Sequence, residues 1–137
     1  MLKKIHHLGI AVNDLERAAN ALKEAFDLEI AGIEEVPSQQ VKVAFLPVGE
    51  SRLELLEPTS EESAIGKFLA KRGEGFHHVA FETDSIEEAL KLAESKGLRL
   101  IDKEPRPGAH GTRVAFIHPK STFGVLIELV QEGDQTE

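Results

Sequence analysis

Along this chain, short stretches of alternating or apolar residues are followed by stretches with a helical apolar spacing, and the same succession occurs twice. Ile5 to Val12 is predicted as a strand. Asn13 or Asp14 can then cap a helix whose apolar positions are Leu15, Ala18, Ala19, Leu22, Ala25 and Phe26, spaced three and four apart. Val41, Val43 and Phe45 alternate with Lys42 and Ala44, Pro47 and Gly49 make a turn, and Arg52 to Leu56 returns as a strand. Pro58, Thr59 and Ser60 open a short helix carrying Ile65, Phe68 and Leu69, and Gly73 and Gly75 close it.

The second half runs the same way. Phe76 to Glu82 is predicted as a strand, and Asp84 or Ser85 caps a helix through Ile86, Ala89, Leu90 and Ala93 that stops near Gly97. Leu98 to Ile101, Arg113 to Ile117 and Gly124 to Val130 are predicted strands, with Pro105 to Gly111 a loop and Gln131 to Glu137 a polar, frayed tail.

The two halves are related residue by residue. HHLGIAVNDLERA at 6–18 and HHVAFETDSIEEA at 77–89 align at an offset of 71, and Leu53-Glu54-Leu55 matches Ile127-Glu128-Leu129 at an offset of 74. The expected fold class is α+β: two βαβββ modules, about 3–72 and 75–131, forming a curved, mostly antiparallel sheet around a metal site, within a single domain over 1–137.

Composition narrows the function. The chain has 137 residues, 41% of them apolar, which is enough to bury one ordinary core. A net charge of −8 argues against a nucleic-acid partner, which needs a basic face. No apolar run is long enough to span a bilayer, and MLKKIHHLGIAV reads as a first strand, not as a signal peptide. Without cysteine there are no disulfides and no thiolate ligands, and a cytoplasmic location is expected.

Glu54 and Glu128 stand inside apolar strands, in RLELLEP and GVLIELV. An ionised carboxylate there is paired, bound to metal, or on a solvated strand face. Their equivalent places in the repeat, with histidines also in equivalent places, favour a shared site. Neighbours on a strand point to opposite faces, so only one histidine of each pair, His6-His7 and His77-His78, can face it. Two imidazoles and two carboxylates suit a divalent first-row ion. His6, His77 and His118 are read as structural or exposed, and Glu34-Glu35, Glu61-Glu62 and Glu87-Glu88 as solvated faces.

On these residues the chain resembles the vicinal oxygen chelate superfamily over 3–131 and, within it, the methylmalonyl-CoA epimerase family. LELLEPTSEESAIGKFLAKRGEGFHHVAF and FIHPKSTFGVLIEL carry the closer likeness. The resemblance implies metal ligands His7, Glu54, His78 and Glu128, and an epimerase that interconverts (R)- and (S)-methylmalonyl-CoA by abstracting the α-proton through a metal-stabilised enolate. It implies catalytic roles for Glu128 and Glu54, and contacts from Lys120 and Ser121 to the acyl-CoA substrate. It further implies one divalent ion per chain (Co, Mn, Ni, Zn or Mg, with Co favoured) and a homodimer. Two departures stand out: Val43 occupies a place where some members have a glutamate, and His110 lies in a loop where the family tends to have glycine. Glyoxalase I, or a small-molecule-binding module of the same fold, is the alternative.

Overall fold

The computed structural model describes residues 1–133. In chain order its elements are β1 (Leu2–Ala11), α1 (Leu15–Phe26), β2 (Gly32–Val36), β3 (Val41–Val48), β4 (Ser51–Pro58), α2 (Ala64–Arg72), β5 (Gly75–Thr83), α3 (Ile86–Ser95), β6 (Arg106–Pro107), β7 (Arg113–Ile117) and β8 (Ile127–Gln131). The mixture of strands and helices makes the fold α+β, as expected. The chain forms two compact units, His7–His77 and Met1–His6 together with His78 onward.

In the unit over 7–77 the strand order is β2-β3-β4-β1. β2–β3 and β3–β4 are antiparallel, while β1 lies parallel to β4 with Gly9 beside Glu54. Directly opposed residues share a face of a sheet. Ala44 and Leu55 oppose each other on one face, and with Leu46 they pack against Val12, Leu15 and Ala19, so that α1 covers this side. Phe45 and Glu54 oppose each other on the other face.

The second unit repeats the plan. Its order is β5-β8-β7-β6, with β5 parallel to β8 and the other pairs antiparallel. Ile86, Ala89 and Leu90 of α3 pack on Ala115, Ile117 and Leu129. Phe116 and Glu128 oppose each other on the far face.

The helix starts reproduce the repeat in a way the aligned letters alone do not reveal. Asp14 caps α1 by accepting the Arg17 N–H at 3.1 Å, and Ser85 caps α3 by accepting the Glu88 N–H at 3.3 Å. The first helical N–H of α1, from Leu15, goes to Glu57 Oε1 at 2.7 Å, and that of α3, from Ile86, goes to Gln131 Oε1 at 2.8 Å. Both acceptors stand near the end of the strand that carries the buried glutamate, and each satisfies a helix-end donor that has no partner within its helix.

Several predicted elements differ. No element is predicted over 32–36, only Glu34-Glu35 as a solvated face, yet Gly32–Val36 pairs along its length with β3 while Glu35 stays exposed. Leu98–Ile101 is not a strand. It makes a single bridge, Leu100 to Ile117, and the two-residue β6 pairs with β7 instead, inside the segment read as a loop. A proline is tolerated in β6 because that strand lies at the sheet edge, where its missing N–H breaks no ladder. β8 begins at Ile127, since Pro119–Ser121 forms a short helical turn followed by Phe123 and Gly124 at positive φ. It runs on to Gln131, which the sequence assigned to the tail, and Asp134–Glu137 lie outside the described residues. Ser63 caps α2 by accepting the Gly66 N–H, while Ser60 in turn accepts the Ser63 hydroxyl through its carbonyl. Phe26, placed on the apolar stripe of α1, is 68% exposed.

One surface contact gives a pH signature. The Arg113 guanidinium bonds both oxygens of Glu87 and holds that carboxyl below its ordinary range. A lowered folded-state value contributes stability above the ordinary carboxylate pKa, and the contribution is lost as pH falls through the lowered value. Glu87→Gln is therefore expected to lower the melting temperature slightly at pH 7, with the gap to the parent closing in acid. An equal gap at pH 7 and pH 3 would contradict this. The effect stays small because both groups are solvated.

Candidate active site

Strand register explains why each unit buries an imidazole against a carboxylate. Gly9 lies beside Glu54 and Ala80 beside Glu128, and residues two apart on a strand share a face. His7 and His78, two residues before those small residues, are therefore diagonal neighbours of the glutamates. His7 Nδ1 stands 3.2 Å from Glu54 Oε2, and His78 Nε2 stands 2.8 Å from Glu128 Oε1. All four are between 4% and 6% exposed.

Each pair is floored by a phenylalanine. Phe45 opposes Glu54 and Phe116 opposes Glu128, and these two rings are themselves related by the offset of 71. The Phe116 ring meets His78 edge-on, with centroids 5.6 Å apart. Each ring also carries a guanidinium: Arg52 lies 4.9 Å above Phe45, and Arg106 lies 5.5 Å above Phe116. Arg52 Nε donates to Glu54 Oε2 at 2.9 Å. Arg106 Nε is buried without a hydrogen bond, 3.5 Å from Asp102 Oδ2, which accepts the Phe116 N–H at 2.9 Å.

The sequence reading singled out His7, Glu54, His78 and Glu128, and the structure brings them together as the pairs His7–Glu54 in one unit and His78–Glu128 in the other. Lys120 is exposed on the turn between β7 and β8, and half-buried Ser121 accepts the Arg99 N–H through Oγ at 2.7 Å. Val43 is 2% exposed and lies two residues from Phe45, hence on the face of β3 that carries Phe45 beside Glu54, while Lys42 points to the other face. His6 is 5% exposed, its Nε2 against Glu132 Oε2. His77 packs edge-on against Phe68, and His118 Nδ1 accepts the Lys120 N–H. His110 is exposed and holds a positive φ of 57°. The sequence reading missed Arg52, Phe45, Phe116 and Arg106. The repeat offset singles out the two rings, but nothing local marks the arginines.

The donor set fits a divalent ion. It consists of buried nitrogen and carboxylate oxygen without thiolates, a combination suited to first-row metals. Buried carboxylates of this kind also call for a positive partner.

Comparison with known proteins gives the family. Residues 6–116 match the profile of the Glyoxalase/Bleomycin resistance protein/Dioxygenase superfamily. An ethylmalonyl-CoA/methylmalonyl-CoA epimerase of Cereibacter sphaeroides is 37% identical over 96% of this chain and 99% of that protein. The mouse mitochondrial methylmalonyl-CoA epimerase is 37% identical over 95% of this chain and 74% of its own length. Among solved structures, a Streptomyces coelicolor methylmalonyl-CoA epimerase variant in complex with 2-nitronate-propionyl-CoA superposes with a TM-score of 0.95 at 40% identity, covering 100% of this chain and 99% of that one. The chain belongs to the glyoxalase/bleomycin resistance protein/dioxygenase superfamily. Its place there is among the methylmalonyl-CoA epimerases, a family of enzymes.

Proposed function

We propose that the chain interconverts the (R) and (S) forms of methylmalonyl-CoA, with His7, Glu54, His78 and Glu128 supplying four donors to one divalent ion, cobalt being favoured. The observation that carries this reading is the duplicated pair: a buried imidazole beside a buried carboxylate, at equivalent places in both halves. The ion supplies a fixed positive charge for the oxyanion that develops as the α-proton leaves.

The residues divide the remaining work. Glu128 acts as the acid/base on one face of the planar carbon, its carboxylate held beside His78 at 2.8 Å. Epimerisation needs a second proton donor, and Val43 cannot serve, because its side chain is apolar and buried. Glu54 takes that role, on the face of β3 and β4 that also bears Val43 and Phe45. Phe45 and Phe116 keep water from the carboxylates, and Lys120 and Ser121, on an accessible turn, contact the acyl-CoA substrate. A homodimer, on family likeness, and a cytoplasmic location, on the absence of cysteine, complete the reading.

The test is deuterium uptake at the α-carbon of (S)-methylmalonyl-CoA in heavy water, with and without a chelator. Uptake that a chelator abolishes and cobalt restores is the expected result. Uptake at background level with every divalent ion tried would sink the epimerase reading. Turnover of a glutathione hemithioacetal in its place would point to a glyoxalase.

A further inference from the structure

The two halves match at both ligand pairs and both rings, and they part company two residues before each glutamate. The offset of 74 that relates Glu54 to Glu128 relates Arg52 to Leu126. A guanidinium stands on one side and an aliphatic chain on the other.

Arg52 is held from two directions. Its Nε donates to Glu54 Oε2 at 2.9 Å, and its guanidinium lies 4.9 Å over the ring of Phe45. Phe45 is 3% exposed and directly opposes Glu54 across the β3–β4 ladder, so the surface on which the guanidinium rests is fixed by the same strand pairing that fixes the carboxylate. A cation over an aromatic face gains from the ring quadrupole, and a charged hydrogen bond to a carboxylate is among the stronger kinds. Glu54 Oε2 thus receives two contacts, from Arg52 and from His7 Nδ1 at 3.2 Å, and neither involves Oε1.

We propose that Arg52 is the positioning residue of the Glu54 ligand: it clamps Oε2, offsets the carboxylate charge, and presents Oε1 for coordination. This rests on the metal reading above. It assigns Glu54 a fixed orientation that the site inherits from β4, whereas the residue equivalent to Arg52 in the second half is aliphatic Leu126, just ahead of β8. Partners of this kind, which hold a ligand in place without touching the metal, typically govern affinity by one to two orders of magnitude.

The experiment is a double-mutant cycle on the full chain, titrated with Co2+ by calorimetry and followed by the visible spectrum of the bound ion. Arg52→Met is expected to weaken Co2+ binding about 10–100-fold and to shift the spectrum. Arg52→Lys keeps the charge but loses the planar fork, so it recovers only part of the affinity. In a Glu54→Gln background the same Arg52→Met change is expected to cost no more than about twofold, because an amide has no charge to offset. An equal cost in both backgrounds, or none in either, overturns the proposal and leaves the metal reading standing. A parent protein that takes up no stoichiometric Co2+ overturns both. If Arg52→Met does not fold, Arg52→Lys in the two backgrounds completes the same cycle.

Discussion

Replacing Glu128 by glutamine is expected to slow α-proton exchange of methylmalonyl-CoA by about 10²–10⁴-fold, the usual contribution of a positioned acid/base. The amide keeps the shape of the carboxylate and can still accept a hydrogen bond, so His78 retains a neighbour where it now has one at 2.8 Å. What the amide cannot do is take a proton. The loss therefore falls on turnover more than on the concentration of substrate needed, and proton NMR in heavy water reads it directly. Exchange within about threefold of the parent, far short of that contribution, would remove Glu128 from the chemistry.

The second large effect concerns stability. Leu55 is 1% exposed and sits next to Glu54 on β4, pointing to the opposite face. It packs in the cluster of Val12, Leu15, Ala19, Ala44 and Leu46 that fastens α1 to the sheet. Leu55→Ala removes buried methyl and methylene groups and leaves a cavity that close-packed neighbours fill only in part, for a cost of about 2–5 kcal/mol. Denaturant unfolding followed by circular dichroism measures it. A cost below about 1 kcal/mol would mean that the cluster collapses around the gap, or that α1 is not anchored there.

Glu54 and Leu55 stand side by side on β4, and they illustrate what the sequence reveals. Glu54 interrupts the apolar run RLELLEP, which raises the question of its partner; the repeat narrows the answer to His6 or His7, and the family resemblance selects His7. Period-two patterning separates the face of Leu55 from that of Glu54, so both the core face and the buried glutamates were legible. Helix starts were legible to within one residue, at Asn13 or Asp14 and at Asp84 or Ser85, because short polar side chains precede an apolar stripe; the structure selects Asp14 and Ser85.

Other features depend on partners that no local pattern encodes. β2 is an edge strand whose glutamates suit solvent; its apolar residues, Ile33 and Val36, stand three apart and show no alternation, so Gly32–Val36 owes its strand state to pairing with β3. Leu98–Ile101 has the right residues for a strand but only one bridging partner. The parallel pairing of β1 with β4 and of β5 with β8 is likewise invisible, since alternation fixes which face a residue takes but not which strand lies alongside. Arg52 and Arg106 read as ordinary surface charges until the rings beneath them are known.

Those parallel pairings also govern timing. Leu8 meets Leu53 and Val79 meets Ile127, so each closes a loop of roughly 45 residues, and ordering such loops must precede any gain from the contact. Both histidine–glutamate pairs depend on that closure, because register is what sets the imidazole diagonal to the carboxylate. These imidazole–carboxylate pairs are therefore expected to assemble late in folding, after the local hairpin of β3 and β4 and the adjoining helix. An interaction made after the rate-limiting step slows unfolding and leaves the folding rate nearly untouched. Whatever occupies the finished pairs is thus expected to act as a latch on the native chain, lengthening its lifetime without hastening its arrival.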